Sequence, residues 1–129
     1  LIRNEHLFKI FRFSDGAALE PDFVLFATEK ETGKSVGMCG LLIQEVDGIE
    51  ELEIGYSIHP KFWNMGFASE AAKKCREFAF ANNYAKSIIS IVHVDNVASA
   101  KVAQNNGMFL DKTTEYKGIP VNIFRVWNK

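Results

Sequence analysis

The chain has 129 residues, of which 47% are apolar and 24% are charged, and its formal net charge is −1. These values predict one globular domain with one core and exclude a general electrostatic attraction to nucleic acid or to an anionic membrane. No apolar run approaches the ~20 residues that a membrane-spanning helix needs. The two cysteines are too few for a disulfide framework and lack metal-ligand spacing, so we expect reduced thiols, no metal and a cytoplasmic location.

The first half of the chain predicts an antiparallel meander. Residues 1–13 are dense in apolar side chains without a clear period, and their first part is predicted as a helix. Three strands are predicted next: Phe23–Thr28, Ser35–Val46 and Glu51–Ile58. The third alternates apolar and polar residues, and Asp47-Gly48 before it is a strong hairpin signal because both residues tolerate positive φ.

Helical spacing appears from Ala68 onward and predicts a long helix. The remaining predicted elements are a buried strand at Ser87–Val94, a helix at Val97–Asn106, and strands at Phe109–Tyr116 and Val121–Trp127 joined by a turn over residues 117–120. Asp95 or Asn96 is expected to cap the second helix, and Gly107 to end it. The order β-β-β-α-β-α-β-β contains a βαβ crossover, so a ligand is expected at the carboxyl ends of the strands that flank it.

The loop Lys61–Ala68 joins a strand to a helix N-terminus. Backbone N–H groups without helical partners and the positive end of the helix dipole favour an anion there. Gly66 is expected to let a ligand approach the backbone, and Ser69 to donate a hydroxyl. The alternative is that Gly66 only makes the turn and Ser69 only caps the helix.

Three motifs carry a family resemblance. Residues 62–71, F-W-N-M-G-F-A-S-E-A, resemble the Y-W-G-K-G-Y-A-T-E-A loop of the RimJ/RimL-like branch of the GNAT superfamily of N-acetyltransferases. Residues 93–102 resemble its V-x-x-D-N-x-A-S-x-x-V motif, and residues 53–60 resemble its E-I-G-Y-x-I-x-P motif. Each motif is weak alone, but the three occur in order on the predicted elements, so the chain is identified as a member of this superfamily.

The resemblance implies an α+β (mixed α/β) fold: a central mixed sheet, an antiparallel meander followed by a βαβ crossover, and helices on both faces. Residues 1–129 would form a single domain whose N-terminal strand and helix region is incomplete. It also implies acetyl-CoA as cofactor and direct attack by a primary amine in a ternary complex. The implied cofactor-binding residues are Ser57, Ile58, Trp63, Asn64, Met65, Gly66, Phe67, Ala68, Ser69, Asn96 and Ser99, with the oxyanion near the backbone N–H of Ser57 or Ile58.

Glu53 is the predicted general base. It lies on the polar face of a central strand beside Gly55, and partial desolvation would raise its pKa toward neutrality. The alternative is a structural carboxylate bonded to the backbone or to a Lys or Arg side chain. Glu51 is the second choice, and His59 and His93 are further candidates that are more simply explained as strand-end histidines.

The leaving thiolate also needs a proton donor. Many GNAT enzymes use a tyrosine on the second helix, where this chain has Ala103. Ser99, one turn earlier, is predicted either to protonate the thiolate or to hydrogen-bond the cofactor. Asn96 either contacts the pantetheine arm or is a plain helix cap.

The acceptor is expected to be a protein N-terminus or a small-molecule amine, attracted by the acidic segment Glu45–Glu53. Nucleic acid and membrane are not expected as partners, and the protein is expected to be a monomer or a homodimer. One rival function is a non-catalytic acyl-CoA-binding or sensing module. A nucleotide-binding α/β domain is the other, but the chain lacks the glycine-rich motifs of such domains.

Overall fold

Residues 6–12, 23–29, 35–58 and 66–129 are described by the computed structural model, and they form one seven-stranded sheet with two helices. The elements in chain order are β1 (His6–Arg12), β2 (Phe23–Glu29), β3 (Ser35–Val46), β4 (Ile49–Ile58), α1 (Phe67–Ala81), β5 (Ser87–His93), α2 (Val97–Asn105), β6 (Phe109–Tyr116) and β7 (Ile119–Trp127). The strand order across the sheet is β1-β2-β3-β4-β5-β7-β6.

The first four strands form the predicted antiparallel meander. Asp47 and Gly48 make the two-residue turn between β3 and β4 with φ of 51° and 80°, as the Asp-Gly signal predicts. The helix predicted near the N-terminus is wrong over residues 6–12, which pair with β2 along their whole length. Because this segment has no helical period, an available neighbouring strand decides its conformation.

Helix α1 makes the crossover that places β5 parallel to β4, which confirms the predicted βαβ unit. The two strands share only one register pair, Glu53 with Ile89, whereas β5 pairs with β7 over its whole length. The parallel strands therefore separate just after Glu53.

Both described helices pack on the same face of the sheet. The apolar cluster between them includes Cys39 and Leu41 of β3, Ala71, Ala72 and Cys75 of α1, and Ala103 of α2. The opposite face, which we call the polar face, holds a smaller cluster of Val46, Ile89, Val121 and Ile123 beside Glu51 and Glu53. Among the described residues, α1 and α2 both lie on the face opposite the polar face. Neither of the two described helices is long and apolar enough to span a membrane.

The last hairpin curls back over the polar face. Lys112 of β6 forms an ion pair of 2.8 Å with Asp47, and the Thr114 hydroxyl bonds the same carboxylate at 3.0 Å. Asp47 lies in the turn between β3 and β4, so these contacts place the last hairpin over strands that are not its neighbours in the sheet. The hairpin turn is Lys117-Gly118 alone, with φ of 51° and 79°, and is shorter than the predicted one.

Candidate active site

The site is built where β4 and β5 separate. In a continued parallel ladder the Ile91 N–H would donate to the Ile54 carbonyl. Here the Ile91 N–H donates instead to Glu53 Oε2 at 3.3 Å, and the Ile54 carbonyl accepts the Ser90 hydroxyl at 3.0 Å. One lost ladder bond is thus replaced by two side-chain bonds, one on each face of the sheet, so neither buried backbone group is left without a partner.

Glu53 is a buried carboxylate, with 8% of its surface exposed. Its Oε1 accepts a hydrogen bond of 2.9 Å from the Gln44 amide. Burial is the main cause that raises the pKa of Glu53, while the bonds from Gln44 and Ile91 and the charge of Lys117 act in the opposite direction. Burial therefore brings the pKa of this carboxylate closer to neutral pH, as a general base requires. The carboxylate also accepts a backbone N–H, as expected if its role were structural.

A floor without side chains lies beside Glu53. Gly55 follows it on the polar face, and Gly40 lies directly opposite Gly55 on β3. A Cβ at position 55 would lie 4.0 Å from Glu53 Oε1. The missing side chain of Gly55 leaves space for a small group next to the carboxylate.

The other acid and base candidates are engaged elsewhere. Glu51 forms a bidentate ion pair with Arg125, with distances of 3.0 and 2.7 Å. Arg125 also bonds Asp111 at 3.0 Å, and both it and Glu51 are largely buried. His93 accepts the Asp95 N–H in a turn, and His59 lies outside the described residues.

The N-terminus of α2 meets β4 across the separated strands. The Tyr56 hydroxyl donates to the Ser99 carbonyl at 2.8 Å and lies 3.0 Å from Ser99 Oγ. Burial raises the pKa of Tyr56 to about 12, so this hydroxyl stays protonated at neutral pH. Asn96 caps α2, because its side chain accepts the Ser99 N–H at 2.9 Å. Ala103 is buried in the core, at 1% exposure.

Gly66, the N-cap of α1, has the left-handed conformation, with φ of 84°, and supplies no side-chain cap to the helix. The positive φ favours glycine at this position, and a Cβ there would have nothing within 4 Å. Ser69 is not the cap either, since its hydroxyl accepts from Asn105 at 3.2 Å and joins the two helices. Phe67 is buried and Ala68 half-buried, while Trp63, Asn64 and Met65 lie outside the described residues.

Ser57 and Ile58 end β4 and pair with β3 in regular register. The Ile54 carbonyl points toward β5, because it accepts from Ser90. Backbone groups alternate in direction along a strand, so the Ile58 N–H lies on that same side and the Ser57 N–H points toward β3. Of the two predicted oxyanion donors, Ile58 is therefore the one that faces the gap between the strands.

Four residues of the site were not predicted from the sequence: Gln44, Tyr56, Ser90 and Tyr116, whose hydroxyl donates to Gln44 Oε1. Ser90 is the polar residue inside the apolar strand S-I-I-S-I-V-H, and that irregularity is a signal that could have found it. Tyr56 falls on the apolar face of the alternating pattern. Its partner is 43 residues away in sequence, so no local signal distinguishes it from a core residue.

Comparisons with known proteins agree with this arrangement. The family model of the acetyltransferase (GNAT) domain matches residues 3–109. The uncharacterized protein YkkB of Bacillus subtilis is 31% identical over 98 residues, which are 76% of this chain and 57% of YkkB.

Solved structures share the fold. The ribosomal-protein-S5-alanine acetyltransferase of Vibrio fischeri aligns with a TM-score of 0.72 and 16% identity over 83% of this chain and 62% of that one. RimL, a ribosomal L7/L12 alpha-N-protein acetyltransferase in complex with coenzyme A, aligns with a TM-score of 0.68 and 19% identity over 82% of this chain and 62% of its own. The chain thus spans about three fifths of the length of these relatives.

The family match covers most of the chain, including both helices and the separated strands. The chain therefore belongs to the GNAT acetyltransferase family.

Proposed function

We propose that this chain transfers an acetyl group from acetyl-CoA to a primary amine, with Glu53 as the general base. The observation that carries the proposal is the buried carboxylate with a raised pKa, placed where β4 and β5 separate and beside the Gly40–Gly55 floor. An ammonium group on that floor would lie next to a carboxylate able to accept its proton.

The donor set of the chain fits acetyl-CoA. The N-terminus of α1, at Gly66, Ala68 and Ser69, would offer backbone N–H groups and a positive dipole end to the phosphates. The Ile58 N–H faces the gap between the strands and would stabilise negative charge on a carbonyl oxygen. The family match and the CoA complex of RimL support this assignment, and acetyl-CoA supplies the acetyl thioester. The cofactor-binding loop would also include Trp63, Asn64 and Met65.

Ser99 and Tyr56 are the proposed source of the proton for the leaving thiolate. The two hydroxyls lie 3.0 Å apart, and the high pKa of Tyr56 keeps its proton in place until it is needed. When Ser99 gives up its proton, Tyr56 can donate its own to Ser99 Oγ. Asn96 contributes indirectly, by capping the helix turn that carries Ser99.

A protein N-terminus is the proposed acceptor, because the solved structures with this fold include acetyltransferases of ribosomal proteins. On the hairpin, Glu45 and Glu50 are exposed and face each other in register. Asp47 pairs with Lys112 and Glu51 with Arg125, and the register places Glu45 and Glu50 on the face of the sheet opposite Glu53. The proposed attraction for a cationic acceptor at this site is therefore that of Glu53 itself.

The test is a thiol-release assay with acetyl-CoA and a panel of amines. The panel holds peptides with a free N-terminus, the same peptides N-acetylated, a polyamine and free amino acids. We expect release only with free amines, and a loss of about 10²–10⁴-fold in kcat for Glu53→Gln. Glu45→Gln, an exposed carboxylate on the same hairpin, is the matched control and should retain activity. Full activity of Glu53→Gln would show that Glu53 is not the base.

A non-catalytic acyl-CoA-binding module is the second candidate. It is favoured by the backbone bond from Ile91 to Glu53, which gives this carboxylate a structural task, and by Ala103 at the position of the usual tyrosine. Calorimetry separates the two functions. A sensing module binds CoA and acetyl-CoA but releases no thiol with any amine of the panel.

A further inference from the structure

A chain of three side chains crosses the polar face and ends at Glu53. The Tyr116 hydroxyl donates to Gln44 Oε1 at 2.6 Å, and Gln44 Nε2 donates to Glu53 Oε1 at 2.9 Å. Tyr116 comes from the curled hairpin at the far edge of the sheet, whereas Gln44 is on β3, the strand next to Glu53. Both are half-buried, and Tyr116 packs on the cluster of Val46, Ile89, Val121 and Ile123.

The direction of these bonds follows from the donor inventory. An ionised carboxylate only accepts hydrogen bonds, so the Gln44 amide must turn its NH₂ group toward Glu53. Its oxygen then points to Tyr116, whose hydroxyl is a donor. The opposite amide orientation would set an oxygen against a carboxylate oxygen. A tyrosine hydroxyl can donate or accept, so the ionised Glu53 sets the amide orientation, and the bond donated by Tyr116 stabilises that orientation.

We propose that Gln44 and Tyr116 are positioning residues for the Glu53 carboxylate, with Tyr116 fixing the amide of Gln44 and that amide holding Oε1. The Ile91 N–H holds the second oxygen from β5. The catalytic consequence rests on the proposed role of Glu53 as the base.

The groups around Glu53 determine what a pH titration will report. Glu51, on the same strand and face, is neutralised by Arg125. Lys117 acts on Glu53 from the β6–β7 turn, and Tyr56 lies on the opposite face of β4. From β5 the Ile91 N–H bonds Glu53 directly, and His93 at the end of that strand is exposed and bonded to the Asp95 N–H.

Removing the Gln44 donor should raise the pKa of Glu53, because a hydrogen bond to the ionised form stabilises that form. The acid limb of the pH dependence of kcat/KM then moves to higher pH. On that acid limb we expect Gln44→Met to lower kcat/KM by about tenfold at a given pH, the effect of losing one hydrogen bond to a charged group. Tyr116→Phe keeps the ring and removes only the hydroxyl, so it should shift the limb in the same direction by less.

The experiment combines two readouts on the full chain. The first is a ¹³C NMR titration of the glutamate carboxyl carbons, with the Glu53 resonance assigned by its loss in Glu53→Gln. The second is the pH profile of thiol release. The double variant Gln44→Met, Tyr116→Phe should match Gln44→Met in both, because Tyr116 acts only through Gln44. Thr114→Val is the control. Thr114 is on the same strand as Tyr116, but its hydroxyl bonds Asp47 and not Gln44 or Glu53.

An unchanged Glu53 titration in folded Gln44→Met would overturn the positioning role. Additive effects in the double variant would overturn the route through Gln44. A shifted Glu53 titration with an unshifted rate profile would support the positioning role and refute Glu53 as the base, so the two proposals fail separately.

Discussion

Glu53→Gln should stabilise the folded chain at neutral pH while it removes the proposed base. Burial raises the pKa of Glu53 despite two hydrogen bonds and a nearby lysine, so desolvation outweighs the groups that favour the charge. In the folded state the carboxylate thus binds its proton more tightly than in the unfolded chain. The stability that Glu53 contributes is fully present below its unfolded pKa and is lost as pH rises through its folded pKa.

The magnitude follows from what an amide keeps and what it avoids. The amide that replaces the Glu53 carboxylate can still accept the Ile91 N–H through its oxygen. Its NH₂ group can donate to the Gln44 oxygen if the Gln44 amide rotates by 180°. The substitution avoids the cost of burying a charge, so we expect the free energy of unfolding at neutral pH to rise by on the order of 1 kcal/mol. For a chain of this size that corresponds to a Tm increase of roughly 3–5 °C.

Thermal and urea unfolding across pH 4 to 8 tests this reasoning. The advantage of Glu53→Gln over the parent chain should be smallest at the acid end, where Glu53 is protonated, and should grow as pH rises. Glu45→Gln, exposed on the same hairpin, should stay within about 0.5 kcal/mol of the parent chain at every pH. Destabilisation at neutral pH, or a difference that does not change with pH, would refute a buried carboxylate dominated by desolvation.

Two further predictions concern the helix termini. Tyr56→Phe removes both bonds to Ser99, so we expect a loss of about 1 kcal/mol in unfolding free energy. In the thiol-release assay it should lower kcat as much as Ser99→Ala does. Unequal falls in kcat would show that the two hydroxyls do not act together. Gly66→Ala should lower the unfolding free energy by about 1–2 kcal/mol because of the positive φ at this position. Gly66→Asn should lower it by less, since asparagine tolerates the left-handed conformation. Equal losses in urea unfolding would mean that this conformation is not the reason for glycine.

Local signals predicted most of the fold. The Asp47-Gly48 turn, the alternation of β4 and the capped start of α2 at Asn96 depend on neighbours in sequence, and the structure has all three. The strand β1 was not predictable in this way, because pairing with β2 decides its conformation. Fold features that depend on a distant strand have no local pattern to show them.

The same distinction applies to the site. The position of Glu53 on the polar face follows from alternation alone, and its burial follows from the curled hairpin, which local patterns do not show. Arg125, which holds Glu51, is 74 residues away in sequence, and Tyr116 is 72 residues from Gln44. These partners required the three-dimensional sheet order.

The exchanged bonds at Ile54, Ser90, Ile91 and Glu53 have a consequence for how a ligand arrives. Because the Ile54 carbonyl and the Ile91 N–H already have side-chain partners, β4 and β5 are separated in the protein before any ligand binds. A molecule entering there breaks no ladder hydrogen bonds and does not have to force the strands apart. No contact energy is then spent on separating the strands, since a preorganised cleft lowers the cost of association. Ser90 thus helps to keep the strands apart, because its hydroxyl bonds the Ile54 carbonyl in place of the next strand's N–H.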